Sequence, residues 1–548
     1  MMDKTDVLIV GSGPTGLTLA CELARHGIIP AIIDKASAPS DKSKAFGIHA
    51  RTMEIFENMG IVEKVLTKGN ICDGLNIYNR GKQIAEMRID NLKSKYPFFL
   101  ILAQSDTEKI LIEHLKTYGI EVQRQTELIS FEQNDNEIFT KVKNSNETNE
   151  IKCKYLIGCD GAHSTVRNTL NLEFKGAPYP NHWLLADLNI QWDYPLYHLS
   201  AFLHPSGVTA YFPLYENRGR LMFELPNSPI DEEVEEPKIE EGIELAKERE
   251  IKFSSITDPT WLAYFTLHHR MVDQYNKGNV FIAGDAAHIH SPVGGQGMNT
   301  GIQDAYNLAW KIGLVLRGRS PNNILKSYNI ERHRVGEDVV KLTDRATKMI
   351  TLHNPVFNAL RNKMIGFLSN LDSVAEKMLR TLSQIEVNYK GSPIVGEDWK
   401  IVHQSSFGHS PKGLEPGERI ADYILYDHQT RSTTNLYDLL MGREHELLLF
   451  TGFDPGEEDY IRLREVAVEI PKQFGDLMEI HIIKGERALP PELREFPSIH
   501  VDKNFQLHKD LGAALCSLYL IRPDGYIAYR NQPLSIECLT NYLSGIFI

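Results

Sequence analysis

The first 34 residues leave little freedom in how this chain begins to fold. Thr5 to Val10 is a short apolar run, and Pro14 to His26 has helical composition. Gly27 follows as a stop, and Ala31 to Ile33 is apolar again. Strand, helix and returning strand form a β-α-β unit, whose two strands must lie parallel in a sheet buried on both faces. Between the first strand and the helix stands Gly-Ser-Gly-Pro-Thr-Gly, which places Gly11, Gly13 and Gly16 in a G-x-G-x-x-G spacing.

Each glycine has a separate task in such a turn. Gly11 permits the tight bend, Gly13 lets a pyrophosphate approach the backbone, and Gly16 lets the helix pack against the strand. The helix N-terminus then faces the phosphates with free N–H groups and a partial positive charge. Asp34 ends the second strand eighteen residues after Gly16, where a carboxylate can accept ribose hydroxyls. The dinucleotide-contacting set in this segment is Gly11, Gly13, Pro14, Thr15, Gly16, Asp34 and Lys35. The fingerprint by itself does not separate FAD from NAD.

Several classes of function are excluded by composition. The net charge is -13 and no basic run occurs, which argues against nucleic-acid and anionic-membrane partners. The apolar run before Gly11 is too short for a signal peptide, and no stretch approaches about 18 apolar residues. A cytoplasmic protein with no membrane contact is expected. Six cysteines (Cys21, Cys72, Cys153, Cys159, Cys516, Cys538) contain no C-x-x-C pair, so buried apolar roles are expected rather than disulfides or zinc. No HExxH pattern and no Ser-His-Asp order stands out. The adjacent His268 and His269 would point to opposite faces of a strand, so no metal is expected there either.

The fold class is α/β, and a length of 548 residues suggests roughly three to four domains. A Rossmann-like dinucleotide-binding domain is expected over 1–75, 105–180 and 276–350. It contains a helix opened by a Ser105–Glu108 capping box and two further buried strands, Lys154 to Gly158 and Val280 to Gly284. Ile302, Ala305, Tyr306, Ala309, Ile312 and Leu316 recur at helical spacing, and Ser320-Pro321 reads as the capped start of the next helix. Runs such as LLADLNIQW, GVTAYFPLY and GRLMFEL predict an inserted antiparallel sheet, giving a substrate domain over 76–104 and 181–275. Residues 351–400 form a helical connection. A C-terminal domain over 401–548 has a strand ending at Phe450, a helix near Ile461 to Phe474, and a hairpin turning at Pro523-Asp524-Gly525.

Two later segments refine the dinucleotide. CDGAHSTVR carries Asp160, Gly161, Ser164 and Arg167 after a strand. GDAAHIHSPVGGQGMNTG carries Gly284, Asp285, His288, Pro292, Gly294, Gly295, Gly297, Met298 and Asn299. Together with GSGPTG, in this order, they resemble the aromatic-ring hydroxylase flavoproteins, the p-hydroxybenzoate hydroxylase and phenol hydroxylase group. The resemblance implies bound FAD, with Asp285 on the ribityl chain and Asp160-Gly161 near both flavin and nicotinamide. It also implies that Arg51 lines the flavin cavity, that Gln104 contacts the cofactor, and that Lys44 stands where relatives carry arginine. Independently of the resemblance, Gly295 to Asn299 opens a long helix whose free N–H groups can face the pyrimidine edge of a flavin.

The resemblance further implies a single-component monooxygenase. Transient NADPH or NADH reduces FAD, O2 forms a flavin C4a-hydroperoxide, and an aromatic (phenolic or polyketide-like) substrate is hydroxylated. The protein must exclude water and hold the ring, and Arg51 and Pro292 are the residues nearest the chemistry. Tyr211, Phe212, Pro213 and Phe223 are candidate pocket residues. Arg220 could orient a phenolate or carboxylate, although a solvated surface charge is its ordinary reading. The C-terminal segment resembles the thioredoxin-like domain of phenol and polyketide hydroxylases, without a redox dithiol, and the resemblance allows a homodimer. The alternatives are a flavoprotein of the same fold that reduces or oxidises without hydroxylating, and a non-catalytic FAD-bound sensor. A halogenase is disfavoured by the missing W-x-W-x-I-P signature.

Overall fold

A computed structural model describes residues 3–89, 92–135, 137–144, 147–215, 217–226, 236–369, 371–401 and 413–548. The chain divides into two compact units, Met1–Ala24, Ile29–Tyr306 and Arg332–Gln384 in the first, and Arg25–Ile28, Asn307–Glu331 and Ile385–Ile548 in the second.

In the first unit the strand Lys4–Val10 pairs in parallel with Ala31–Ile33 on one side and Glu147–Gly158 on the other. Val280–Ile282 adds a fourth parallel strand beyond Glu147–Gly158. The helix Pro14–Arg25 connects the first two strands and buries Leu17, Leu19, Ala20 and Leu23. Strand residues Val7, Leu8, Ile9, Leu156, Ile157 and Ile282 are fully enclosed, as a parallel sheet covered on both faces requires.

An eight-stranded sheet built mainly from Lys175–Gln191, His198–His204, Gly207–Pro213, Arg218–Leu225 and Ser255–Met271 forms the second layer of this unit. Its register divides the side chains into two faces. Leu185 lies opposite Met222, Asp187 opposite Arg220, and Arg220 opposite Phe212. Those residues share one face, while Leu184, Ala186, Leu221, Phe223 and Tyr211 share the other. The second face packs with Ala246 and the helix Ile239–Glu248 into an aromatic and aliphatic core.

The second unit holds another eight-stranded sheet, whose centre runs Ile527–Gln532, Ser517–Ile521, His445–Phe450, Met478–Lys484 and Ile499–Val501. The expected hairpin is present, and the Gly525 N–H bonds Arg522 O at 2.8 Å with Gly525 at φ +76°. At its tip a fully buried ion network gathers Glu331. The Glu331 carboxylate accepts from Lys311 at 2.7 Å, from Arg522 at 2.7 and 2.9 Å, from Asn307 at 2.7 Å and from the Ser392 hydroxyl at 2.6 Å. Burial pushes the Lys311 ammonium down to about 8, against the opposing pull of Glu331.

Local expectations fail at two helix starts. The helix Gln104–Thr117 begins at an Ala103 N-cap without a side-chain cap. The Ser105 hydroxyl instead lies 3.2 Å from the Ser43 hydroxyl, and Glu108 accepts from Gln104 at 2.8 Å. The Ser320 hydroxyl likewise donates to Ile546 O at 2.6 Å and caps nothing. A 3-10 turn, Asn322–Leu325, precedes the helix Lys326–Ile350. In both cases a long-range partner outcompetes the local cap. All six cysteines are free thiols, and burial pushes Cys72 and Cys153 up to about 12, which keeps them unreactive.

Candidate active site

The three glycines of the first turn are separated by what surrounds them. A Cβ on Gly11 would stand 2.3 Å from the Cys159 carbonyl oxygen, and its φ is +100°. On Gly16 it would stand 2.0 Å from the Gly11 carbonyl oxygen. On Gly13 it would meet nothing within 4 Å. The first two therefore serve the close approach of helix and strand, and the third borders open space above the helix N-terminus. Ser12 donates to Asp34 Oδ2 through both its backbone N–H and its hydroxyl, each at 2.7 Å. The Ala36 N–H reaches Oδ1 at 2.8 Å. Asp34 thus fastens the glycine turn to the end of the second strand, and Lys35 beyond it is exposed. Pro14 begins the helix. The Thr15 hydroxyl is where a Cβ on Gly284 or Gly301 would fall, so this side chain packs between two glycines.

The second turn follows Val280–Ile282. Gly284 takes φ +60° and donates its N–H to Asp304 Oδ2 at 3.0 Å. The same oxygen bonds His288 Nε2 at 2.8 Å, while Oδ1 accepts from Arg332 Nε at 2.7 Å. Asp304, His288 and Arg332 are all buried. Burial alone would raise the Asp304 pKa, but Arg332 and His288 overcome it and hold the carboxyl below its ordinary value. The network clamps the Gly284-Asp285-Ala286 turn to the helix Gln296–Leu316. Asp285 is reached by solvent although protein surrounds it, and that surrounding mass pushes its carboxyl up, while the Lys44 charge opposes the shift.

The start of that long helix is fixed from both sides. The Gly295 N–H bonds Pro292 O at 2.8 Å, and Gly294 and Gly295 take φ +80° and +63°. Asn299 donates to Gly47 O and Gly295 O, each at 2.8 Å, and accepts the His49 N–H at 3.0 Å. Its side chain is therefore a staple, whereas the backbone of Gln296 to Met298 offers the free N–H groups of a helix start. His49 reaches Gly295 O through Nε2 at 3.0 Å, and His290 reaches Ser291 O through Nδ1 at 2.9 Å. Burial pushes both imidazoles down to about 4, so they are neutral at pH 7. Gly297 and Met298 lie in the first turn, partly open.

Among the remaining expected residues, Arg51 is buried and paired with Glu54 at 3.0 Å on the helix Ala50–Asn58. Gln104 accepts the Ala45 N–H at 3.2 Å. The Asp160 carboxylate accepts the Val166 N–H at 3.2 Å, and burial raises its pKa. Arg167 lies 4.0 Å from the centre of the Phe174 ring and donates to Ala162 O at 2.8 Å. Arg220 departs from the solvated reading. It is buried, grips Asp187 at 2.6 and 2.7 Å, donates to Ser43 O at 2.7 Å, and lies over the rings of Phe46 and Trp261. Tyr211 and Phe223 sit on the core face of the sheet, Tyr211 against Trp192 at 4.1 Å. Phe212 lies on the opposite face with Tyr179, Trp183, Met222, Phe265 and Leu267. The buried Pro213 follows it at the strand end. His269 packs on the Tyr179 ring at 4.9 Å.

Sequence reading missed Asp304, Arg332, Asp187 and His49, and gave His288 no role. One signal was available for Asp304. An acid between Ile302 and Ala305 on a buried helical stripe must find a cation or donors. Arg332 and Asp187 are distant in sequence and carried no comparable mark.

Open space over Gly13, a solvent-reached acid at Asp285 and a glycine-lined helix start fit an extended dinucleotide carrying a flavin. These features define a flavoprotein. The chain belongs to the family described as FAD binding domain, whose pattern it matches over residues 4–343. It is 29% identical to 6-methylpretetramide 4-monooxygenase of Streptomyces rimosus over 100% of this chain and 94% of that one. It is 34% identical to an uncharacterized aromatic compound monooxygenase of Bacillus subtilis (strain 168), over 100% and 98%. Among solved structures, the anhydrotetracycline hydroxylase OxyS of Streptomyces rimosus superposes with TM-score 0.76 at 27% identity, covering 99% of each chain. The protein is an FAD-dependent monooxygenase of the aromatic hydroxylase class.

Proposed function

We propose that this enzyme hydroxylates a neutral, ring-rich phenolic or polyketide-like substrate, using NADPH or NADH and O2. The observation that carries the substrate class is the apolar face formed by Tyr179, Trp183, Phe212, Met222, Phe265 and Leu267. Its neighbouring cation, Arg220, is already neutralised by the Asp187 carboxylate and leaves no charge to recruit an acidic substrate. The polyketide-directed relatives agree with this reading.

When bound, FAD supplies two-electron reduction of O2, so that one oxygen atom enters the substrate and the other leaves as water. The residues of the chain do the rest. The backbone at Gly13 and the following helix start receive the phosphates, Asp34 keeps lone pairs for the ribose, and Asp285 receives ribityl hydroxyls. The N–H groups of Gln296 to Met298 would stabilise negative charge on the bound flavin. Pro292 and Arg51 border the reacting end. The apolar sheet face excludes water and aligns the ring. The C-terminal strand order, three parallel strands flanked by an antiparallel hairpin, supports a thioredoxin-like domain that has no redox role.

The test is NAD(P)H oxidation by the FAD-loaded enzyme against a panel of phenols, hydroxybenzoates and multi-ring aromatics under 18O2. Faster turnover with a neutral multi-ring compound and one labelled oxygen in the product are expected. An unlabelled product ends the monooxygenase reading, and a preference for hydroxybenzoates ends the substrate reading.

A further inference from the structure

The residue that turns the chain out of a helix into the left-handed region is ordinarily glycine, because that conformation crowds a Cβ. After the helix Asp372–Leu382 and its cap Ser383, the position is taken by Gln384, at φ +59°. Its side chain is buried, as are those of Gln296, Thr300 and Gln303 in the first turns of the long helix. A strained backbone persists where its surroundings hold it, and here the holding group is the buried amide itself. We propose that Gln384 is a positioning residue of the flavin site, whose amide fixes the last turn of Asp372–Leu382 against the start of the long helix and closes the reacting end to water. The proposal rests on the flavin placement and the hydroxylation stated above.

The partners fix which way that amide points. The Thr300 hydroxyl commits its one proton to Gln296 O at 2.9 Å, so its oxygen can only accept from Gln384. Gln296 Nε2 donates to Gly294 O at 3.1 Å and to Leu382 O at 2.9 Å, which turns its Oε1 towards Gln384 as an acceptor. Gln384 Nε2 donates to both, reaching Thr300 Oγ1 at 3.0 Å, and its Oε1 accepts from Gln303 Nε2. A carboxylate of the same length could make neither donation, and glycine could make none of the three bonds.

The residues just before Gln384 transmit its position to the reacting end. A Cβ on Gly294 would stand 2.9 Å from Leu382 Cδ2, so the leucine covers that glycine in the loop after Pro292. Ser383 O accepts the Arg51 N–H at 3.3 Å. Gln296, at the start of the long helix, is held through its own side chain. Releasing Gln384 therefore loosens Leu382, the Gly294 loop and the Arg51 backbone together, and lets water in at the flavin. O2 is then reduced without transfer to the substrate, so that NAD(P)H, a proton and O2 give NAD(P)+ and hydrogen peroxide in place of hydroxylated product and water.

The test compares the full FAD-loaded chain with Gln384→Gly, which relieves the backbone and removes the amide, and Gln384→Glu, which keeps the backbone and removes only the donors. Iodide quenching of the bound-flavin fluorescence reads access to the flavin. The ratio of 18O-labelled product to hydrogen peroxide is read with the compound of the panel above that the wild type hydroxylates best. Both variants should raise the quenching constant, and the ratio should fall by at least about tenfold, as expected when a reacting group is displaced by an ångström or less. An unchanged quenching constant or an unchanged ratio in folded Gln384→Gly overturns the proposal, even where the thermal midpoint falls, since a purely structural residue would move the midpoint alone. A wild type that forms no labelled product ends the hydroxylation reading, and the quenching constant then decides on Gln384 by itself. Should neither Gln384 variant fold, Leu382→Ala, which removes the cover over Gly294 and leaves the amides in place, must raise the quenching constant or the proposal fails.

Discussion

Replacing Gly13 by alanine should move stability and cofactor affinity in opposite directions. No protein atom lies within 4 Å of the added Cβ, and Gly13 is absent from the positive-φ glycines. In the apoprotein the change therefore only restricts the unfolded chain, worth a stabilisation of about 0.4–1 kcal/mol. In the holoenzyme the new methyl group occupies the space through which phosphate oxygens reach the helix N–H groups. Losing one or two charge-assisted hydrogen bonds of about 1.5–3 kcal/mol each weakens FAD binding by at least about tenfold. Gly16→Ala should behave differently, because its Cβ would stand 2.0 Å from the Gly11 carbonyl oxygen and destabilise the apoprotein itself. Thermal unfolding of both apoproteins and flavin-fluorescence titration separate the two cases. Wild-type FAD affinity in folded Gly13→Ala would refute the assignment of that open space to the pyrophosphate.

Asp304→Asn removes the charge that holds Arg332 and His288, and a broken buried pair costs about 3–5 kcal/mol. It should lower the thermal midpoint and weaken FAD binding through the displaced Gly284–Asp285 turn, whereas an unchanged FAD dissociation constant would disconnect the clamp from the cofactor. Glu331→Gln leaves buried Lys311 without its carboxylate and Arg522 with Asp524 alone, and should lower the thermal midpoint without altering FAD affinity in protein that still folds, as calorimetry and fluorescence titration will show. His49 and His290 have folded pKa values near 4, below the ordinary histidine value of about 6.5. The unfolded chain binds more protons between those limits, so stability falls as pH drops from about 6.5 towards 4, by about 1.4 kcal/mol per unit for each imidazole. His290→Asn should flatten that slope in thermal melts across the window. Arg220→Gln releases Asp187 and Ser43, and should raise the substrate KM more than it lowers kcat.

The β-α-β entry was legible because one constraint acts on contiguous residues. The glycine spacing, the helix period and the terminal acid lie within 34 positions and demand one geometry. The inserted sheet was legible as a class of structure, but not in which way its residues face. Tyr211 and Phe212 are neighbours of similar composition, and only the pairing of Arg220 with both Asp187 and Phe212 reveals that Phe212 lies on the face opposite Tyr211. The caps at Ser105 and Ser320 failed for the converse reason. Their local rules hold only until a distant hydroxyl or carbonyl offers a better partner, and sequence gives no view of Ser43 or Ile546.

Residues that touch a cofactor and residues that aim it leave different traces in a sequence. Close backbone approach demands glycine, whether of helix to strand at Gly11 or of the proposed ligand over Gly13, and both announce themselves by residue type alone. Aiming demands charge and burial together, as in Asp304, Arg332 and His288, and these residue types are equally at home on a surface. The distinction becomes visible only when position is added, since an acid inside an apolar helical stripe has few affordable states. Asp304 resolves that conflict by receiving one cation, one imidazole and one backbone N–H. Its burial is tolerable because both carboxylate oxygens are engaged, and the same bonds tie the Gly284 turn that carries Asp285 to the long helix. The tie at the Asp285 turn and the openness over Gly13 are therefore products of one arrangement, in which buried charge is spent on holding the backbone and the exposed backbone is kept for the ligand.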